Sequence, residues 1–243
     1  MARSSKSLNS FYAIDCFNFV LTAAAVIMHR GSNNFSDDLS DLVYRMISTL
    51  KRSNSGGTWY AVWDSAGGTH FRKDIDENYK ADRDNSSIDF EAVIACKRLF
   101  ELWGMQNISL DKTEADDAIA VLCKELKEKY PDSVITIFSR DKDLLQIVQN
   151  GWADRQYDFS KKKDIEVPDY SVVDFKALAG DASDNIKGLP GVGEKTAIKI
   201  LKGQRALTDE EKVLFEKYKS MVDTRLHPLF EKNCETVKKL INC

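Results

Sequence analysis

Histidine and paired cysteine are scarce in this chain of 243 residues, which limits the chemistry that it can carry out. Its three histidines, His29, His70 and His227, stand far apart and show no metal-ligand spacing. Its five cysteines include no C-x-x-C pair, so the sequence predicts neither a zinc site nor a disulfide framework. No Ser-His or Cys-His arrangement indicates nucleophilic catalysis. We expect reduced and mostly buried thiols in an intracellular protein.

A membrane segment and an excess of basic residues are also missing. The apolar stretch Phe11–Met28, which follows Arg3 and Lys6, loosely resembles a signal peptide. Asp15 and Asn18 interrupt it, however, and no convincing cleavage site follows. We therefore expect a cytoplasmic protein without a membrane span. The net charge of −3 gives poor support for nucleic-acid binding, although a cluster of acids can hide a local basic patch.

Predicted strands and helices alternate along most of the sequence. The predicted strands are Phe11–Ile14, Thr58–Trp63, Met105–Ser109, Val134–Phe138 and Trp152–Phe159. The predicted helices are Phe19–Met28, a segment from Asp37 or Asp38 to about Leu50, Phe90–Leu102, Thr113–Lys129 and a helix that follows Asp143 and runs through Val148. Everything beyond Pro168 has a helical pattern. This alternation predicts an α/β fold with a mostly parallel sheet flanked by helices.

Acidic residues directly follow three of these strands. Asp15, Asp64 and Asp141 each lie just after a predicted strand. The carboxyl ends of parallel strands share one edge of the sheet, and ligands bind beyond that edge. Six further acids occur in clusters, namely Glu114, Asp116, Asp117, Asp143, Asp181 and Asp184. The cluster that follows Thr113 also fits an ordinary helix cap, so a structural role stays open for it.

The nine acids together indicate a metal centre. Carboxylates that converge on one sheet edge repel each other severely unless cations neutralise them. Oxygen ligands without histidine or cysteine favour a hard ion, Mg²⁺ or Mn²⁺. Two such ions about 4 Å apart suit phosphodiester hydrolysis, because they activate a water molecule and stabilise the charge of the transition state.

A glycine-rich hairpin follows the last of these acids. Gly188, Gly191 and Gly193 are predicted to let the backbone approach a phosphate closely. Lys195 and Lys199 add positive charge beside them. The alternative is a plain helix hairpin that binds nothing.

The stretch from His70 to Ser87 is highly charged and has too few apolar residues to be core. Lys80 and Arg83 are three residues apart, so an ordered helix would place them on one face, where they suit a non-bridging phosphate oxygen. Tyr79 is predicted to stack on an unpaired terminal base, and Arg72 is a further predicted substrate contact. A solvated charged helix is the alternative.

Four motifs and two strand-end acids now form a pattern. They are Asp15 and Asp64, Tyr79-Lys80 with Arg83, Thr113-Glu114-Ala115-Asp116-Asp117, Ser139-Arg140-Asp141-Lys142-Asp143, and Gly180-Asp181-Ala182-Ser183-Asp184-Asn185-Ile186. In this order they resemble the flap endonuclease/5′–3′ exonuclease family, most closely its compact bacterial and bacteriophage members. The resemblance runs from about residue 11 to residue 202 and covers most of the chain.

The resemblance implies an architecture in two parts. Residues 1–172 would form a PIN-like core with a helical arch at about 70–102. Residues 173–243 would form a helical region with a helix–three-turn–helix module at about 185–202, which would grip a duplex backbone without reading its sequence.

The resemblance also implies a role for each site residue. A first metal ion would be held by Asp15, Asp64, Glu114 and Asp116. A second would involve Asp117, Asp141, Asp143, Asp181 and Asp184. Tyr79, Lys80 and Arg83 would face the scissile phosphate at the foot of the arch, with Lys80 and Arg83 catalytic. A potassium ion at the module is a further expectation.

The function expected from the resemblance is a structure-specific 5′ nuclease. It would cut branched, flap or 5′-ended duplex DNA near the junction with single strands, in replication and repair, as a monomer in a bacterial or phage-infected cell. RNA–DNA hybrids are a second expected substrate. Two alternatives stay open, a non-catalytic protein that binds DNA junctions and a PIN-type ribonuclease.

Overall fold

A six-stranded sheet forms the centre of the fold. The structure is a computed structural model that describes residues 9–82 and 89–242. The strands are β1 Ser10–Asp15, β2 Thr58–Val62, β3 Gln106–Ile108, β4 Val134–Phe138, β5 Arg155–Asp158 and β6 Lys163–Asp164. Their order is β3-β2-β1-β4-β5-β6, and every neighbouring pair is parallel except β5 and β6. The predicted mostly parallel sheet is therefore confirmed.

Helices cover both faces of this sheet. They are α1 Cys16–Arg30, α2 Phe35–Ser53, α3 His70–Ile75, α4 Phe90–Leu102, α5 Ala115–Lys129, α6 Leu145–Gln149, α7 Val172–Ala179, α8 Glu194–Leu201, α9 Asp209–Val222 and α10 Phe230–Leu240. Apolar side chains of α1, α2 and α4 pack on one face, and those of α5 and α10 pack on the other. Among the described residues, no helix has the length and apolar character that crossing a bilayer requires.

Element boundaries follow local sequence where the signal is strong. The predicted bounds of α4 and β4 match the structure, because both segments are strongly patterned and sharply bounded. Helix α1 begins three residues earlier than predicted, at Cys16, since the Asp15 carboxylate accepts a hydrogen bond from the Asn18 N–H and caps it. The short strand β6 was not predicted, because its two charged, exposed residues carry no alternating pattern.

A third group of buried apolar residues lies among α7, α8 and α9. Tyr79 belongs to it and is only 2% exposed, and Arg72 is also buried. The prediction that the stretch from His70 to Ser87 contributes nothing to the core is therefore wrong, since its polar residues are enclosed by long-range contacts. The expected helical spacing of Lys80 and Arg83 is also wrong at Lys80, which lies in a turn at φ 54 beyond the end of α3. Arg83 itself is outside the described residues.

The order in which strands are added to the sheet changes side between β1 and β4. From β1 the connections move outwards to β2 and β3, and the later strands β4 and β5 add on the opposite side. The carboxyl ends of β1 and β4 therefore border the crevice at which ligands bind in sheets of this kind.

Helix α4 supplies Val93, Cys96 and Phe100 to the sheet-covering layer, although the arch was predicted to extend to residue 102. The division of the chain near residue 172 stays a prediction.

Gly188 brings two backbone segments together in the helical region. It lies at φ +66, and a Cβ there would be 2.3 Å from the nitrogen of Gly180. Next to it, the Leu189 N–H donates to the Leu178 carbonyl at 2.9 Å. The close approach predicted for Gly188 is thus made to its own chain and not to a phosphate, because the residue is buried. Gly191 lies at φ +73 with open space around it.

We predict that Gly188→Ala lowers the free energy of unfolding by about 3 kcal/mol or more, since forced overpacking adds to the cost of a left-handed backbone. The matched substitution Gly191→Ala meets only the backbone cost, about 1 kcal/mol. Urea unfolding of both variants and the parent measures the difference. Equal losses in the two variants would contradict the packing argument.

Candidate metal and nucleic-acid site

Three predicted acids meet at the carboxyl edge of the sheet. Asp15 is the last residue of β1, Asp64 lies just beyond β2, and Asp141 lies just beyond β4. Two of them also organise the chain locally. Asp15 caps α1, and the carboxylate of Asp141 accepts a hydrogen bond from the Asp143 N–H at 3.0 Å. The predicted common position of the three acids follows from the parallel sheet.

Asp15 is the most enclosed of the three, at 4% exposure. Ser139 donates its hydroxyl to Asp15 Oδ2 at 2.8 Å, and the Asn18 N–H reaches Oδ1 at 3.2 Å. Burial, together with the negative charges of Asp64 and Asp141, raises the pKa of Asp15 to about 7, against the lowering effect of these hydrogen bonds. The site therefore disfavours the charged form of Asp15 in the absence of a cation.

Asp116, in the first turn of α5, joins the same group. Burial raises its pKa well above the ordinary value, and the charges of Asp141 and Asp15 act in the same direction. Within the described ranges, neither Asp15 nor Asp116 forms an ion pair with a basic side chain. We call Asp15, Asp64, Asp116 and Asp141 the first carboxylate group.

Asp143, Asp181 and Asp184 form a second carboxylate group. One carboxylate oxygen from each lies within 4.8 Å of the other two, a spacing suited to one shared cation. Asp143 follows β4, and Asp181 and Asp184 come from the turn that follows α7. This turn is closed by paired backbone hydrogen bonds between Asp181 and Ile186, at 2.7 and 2.9 Å. The group therefore joins the sheet edge to the helical region.

Arg72 neutralises two of the predicted metal ligands. Its guanidinium binds both oxygens of Asp117, at 2.7 and 2.8 Å, and donates to Glu114 Oε2 at 2.7 Å. It also donates to the Met221 carbonyl at 2.7 Å. The predicted substrate contact of Arg72 is not supported by this structure, because the buried guanidinium is directed at these partners. Asp117, expected at the second metal, has both oxygens engaged by Arg72 instead.

Tyr79 is likewise turned inwards. Its hydroxyl lies 3.1 Å from Glu114 Oε2 and 3.2 Å from Asp184 Oδ2, so it bridges the α5 cluster and the second carboxylate group. Burial raises the pKa of Tyr79 well above its ordinary value, and the nearby carboxylates also raise it, so the hydroxyl stays a donor. Stacking on a base, as predicted, is not open to a ring that is 2% exposed.

The Lys80 ammonium lies between these acids. It binds Glu114 Oε1 and lies 3.9 Å from Asp184 Oδ2, and its side chain is 12% exposed. Burial favours the neutral form of Glu114, but Lys80 and Arg72 hold the pKa of its carboxyl below the ordinary value.

The N-cap position of α5 is occupied by Glu114 and not by Thr113, the cap that the alternative interpretation required, and the Glu114 side chain makes no capping hydrogen bond. Asp116 and Asp117 do lie in the first turn, as that interpretation also expected.

The turn that carries Lys80 is attached to the turn that carries Asp184. The Lys80 N–H donates to the Asp184 carbonyl at 3.0 Å, and the Asn185 side chain donates to Asp82 at 2.8 Å. Lys217 of α9 adds an ion pair with Asp76 at 3.2 Å. The position of the Lys80 ammonium therefore depends on the helical region as well as on the sheet.

The predicted phosphate-binding residues lie at the start of α8. Gly191 and Gly193 are exposed, with no atom within 4 Å of a Cβ placed on either. Gly193 precedes the first turn of the helix, and Lys195 and Lys199 are exposed one turn apart along it. A bare helix N-terminus flanked by lysines is suited to a phosphate backbone.

Comparison with models of protein families identifies the family of this chain. The family model of the 5′–3′ exonuclease N-terminal, resolvase-like domain matches residues 11–174, and that of the 5′–3′ exonuclease C-terminal SAM fold matches residues 167–240. The chain belongs to the 5′–3′ exonuclease family. The family expected from the sequence motifs is thereby confirmed.

Two relatives illustrate the range of proteins to which this chain is similar. The 5′–3′ exonuclease of Mycoplasmopsis pulmonis is 31% identical over 217 residues, which cover 85% of this chain and 71% of that protein. The thermostable DNA polymerase I of Thermus thermophilus is 36% identical over 155 residues, which cover 59% of this chain but 18% of the polymerase. The similarity to the polymerase is thus confined to a small part of its length.

Two solved structures share the fold of this 5′ nuclease. The bacteriophage T5 flap endonuclease in a complex with DNA and metal ions has a TM-score of 0.71 at 19% identity, covering 97% of this chain and 100% of the T5 chain. The T5 protein co-crystallised with metal ions has a TM-score of 0.70 at 18% identity, covering 96% and 98%. At such identities the likeness establishes the fold.

Three polar residues of the 5′ nuclease site received no role from the sequence. Ser139 binds Asp15, and its position directly after β4 was an available signal. Gln146 donates to the carbonyls of Asp143 and Val222, at 3.0 and 3.1 Å, and no motif marks it. The Lys176 ammonium binds both Asp143 and Asp181. The excess of acids in the motifs could have indicated a role for Lys176, because so many carboxylates require counter-ions.

We predict that Asp15 makes a destabilising contribution to the metal-free 5′ nuclease that grows as the pH rises from 3.8, its ordinary pKa, to about 7. In this window the folded chain keeps a proton on Asp15 that the unfolded chain has released, so the contribution of Asp15 to the free energy of unfolding falls with rising pH. Asp15→Asn removes that contribution and shifts the slope of the free energy of unfolding against pH in the positive direction. Thermal unfolding in EDTA across this pH range measures it.

The matched control is Asp132→Asn, which changes an exposed aspartate on the opposite edge of the sheet, before β4. Its slope should equal that of the parent. A parent-like slope for Asp15→Asn would show that Asp15 titrates normally in the folded chain.

Proposed function

We propose that this chain is a divalent-metal-dependent 5′ nuclease that hydrolyses phosphodiester bonds near single-strand/duplex junctions of DNA. The observation that carries the proposal is the convergence of two carboxylate groups at the switch point of the sheet, with the Lys80 ammonium between Glu114 and Asp184. Family membership supports the reaction type. The proposal includes both flap endonuclease activity and 5′–3′ exonuclease activity.

The residues present fit hard divalent ions, Mg²⁺ or Mn²⁺. The donor set is carboxylate oxygen throughout, and burial together with mutual repulsion raises the pKa values of Asp15 and Asp116, as expected for ligands without their cation. The first carboxylate group would hold one ion, and Asp143, Asp181 and Asp184 the second. Glu114 and Asp117 would support the site through Arg72. When bound, the ions supply charge neutralisation and a water of lowered pKa.

The chain's own residues orient the substrate around these ions. Lys80 is held by Glu114 and by the turn at Asp184, and its charge also acts on Asp116, so the ammonium lies near members of both carboxylate groups. There it would bind a non-bridging phosphate oxygen and stabilise charge that develops on it. Arg83, outside the described residues, is assigned the same role by the family resemblance alone.

The start of α8 would bind the duplex part of the substrate. Gly191 and Gly193 expose backbone N–H groups, and Lys195 and Lys199 provide positive charge on the same helix. Such contacts bind phosphates without reading bases, which suits a structure-specific enzyme. We include RNA–DNA hybrids as substrates, a potassium ion at this module and a monomeric chain in the proposal.

The deciding experiment is cleavage of a labelled DNA flap in Mg²⁺. We predict cleavage near the junction with a 5′-phosphate product, and a loss of turnover by orders of magnitude in Asp141→Asn, because the variant removes a charged member of the first carboxylate group. Binding of the flap in Ca²⁺ should stay largely intact. Asp132→Asn is the control and should cleave like the parent.

Other outcomes would replace the proposal. An intact flap in Mg²⁺ with tight binding would identify a non-catalytic junction protein. Cleavage of single-stranded RNA but not of the flap would identify a ribonuclease. Unchanged turnover in Asp141→Asn would remove that residue from the site.

We further predict that Lys80→Ala slows cleavage much more than it weakens flap binding, since its ammonium is placed for the reacting phosphate. Lys73→Ala, which removes an exposed lysine of α3, controls for loss of general charge. Single-turnover rates and binding titrations separate the two effects. Equal losses in rate and binding for Lys80→Ala would recast it as a phosphate anchor.

A further inference from the structure

Lys176 stands inside the second carboxylate group. Its ammonium binds Asp143 Oδ1 and Asp181 Oδ2, and its side chain is 17% exposed. The two aspartate side chains are 15% and 11% exposed, so the contact is shielded from solvent. A positive charge of the chain thus lies against the oxygens that are suited to one shared cation.

The fold fixes both partners of Lys176. Asp181 follows Gly180, the C-cap of α7, and the Ser183 N–H and hydroxyl donate to its Oδ1 at 2.8 and 2.7 Å. Asp143 lies in the short turn after β4, where Asp141 and Gln146 bind its backbone. The lysine stem, by contrast, has several rotatable bonds and can change its conformation without moving the sheet edge or the turn.

A divalent ion and an ammonium cannot use the same oxygens at once. The ion requires carboxylate oxygens at about 2.0–2.6 Å, and a lysine on those oxygens would oppose it both sterically and by like charge. Among basic side chains of the described residues, Lys176 is the one that binds both Asp143 and Asp181.

We infer that Lys176 is a built-in counter-ion that competes with the second divalent ion for Asp143 and Asp181. The inference rests on the proposed metal-dependent function and deepens it. Without the ion, Lys176 offsets part of the negative charge of the group. Binding of the second ion displaces the ammonium, so the second site is filled at a higher metal concentration than the first.

The test is Mn²⁺ binding by the full chain, followed by the electron paramagnetic resonance signal of free Mn²⁺ and by calorimetry at fixed pH. We expect two classes of site in the parent. Lys176→Met and Lys176→Gln should each tighten the weaker class at least tenfold, because the competing charge is gone. Lys176→Arg keeps the charge and should leave that class weak.

The matched control is Lys219→Met, which removes the lysine that pairs with Asp174 at 2.8 Å between α9 and α7. Its Mn²⁺ affinities should equal those of the parent. In the double variant Asp143→Asn with Lys176→Met the tightened class should disappear, which locates the ion at Asp143. Because Lys176 is replaced by two different neutral residues, Met and Gln, the test still holds if one of these variants does not fold.

The outcomes separate this inference from the proposed function. Unchanged or weaker binding of the second Mn²⁺ in both neutral variants, with two ions still bound by the parent, overturns the competition alone. No Mn²⁺ bound by the parent overturns the metal-dependent function as well. Tightening that persists in the double variant also overturns the inference, because the ion would then lie away from Asp143.

Discussion

Mutual repulsion among carboxylates is the constraint on which the rest of the site depends. A parallel sheet delivers Asp15, Asp64 and Asp141 to one edge, and the helices add further acids beside them. The chain offsets part of this charge internally, with Arg72 on the α5 cluster, Lys80 between two acids and Lys176 on the second group. In the first carboxylate group, burial and the neighbouring negative charges raise the pKa values of Asp15 and Asp116.

Sequence patterns predicted the parts of this molecule that local physics determines. The positions of β1, β2 and β4 follow from short apolar runs, and the acids after them could be assigned to one edge because parallel strands share it. The bounds of α4 followed from its pattern. The family motifs then added the roles of acids, such as Asp181 and Asp184, that no strand position could have given.

Contacts between distant segments could not be predicted in this way. Arg72 binds Glu114, Asp117 and the Met221 carbonyl, which are 42, 45 and 149 residues away in sequence. A charged segment therefore looked solvated although its tertiary partners enclose it. Gly188 carried a correct signal for close approach, but the approaching group is the backbone at Gly180. The type of residue shows that a close contact is possible at a position, but the partner of that contact is determined by the fold.

The hydrogen bonds from Lys80 to Asp184 and from Asn185 to Asp82 have a thermodynamic consequence. They connect Asp184, which we propose to hold one cation, with Lys80 beside it and with the segment leading into α8. If grasping a double helix at α8 shifts this connection, the affinity for the cation changes, and by reciprocity the cation alters the affinity for the double helix by the same factor. Nucleic-acid binding at α8 and ion binding at Asp184 are then energetically coupled through this connection.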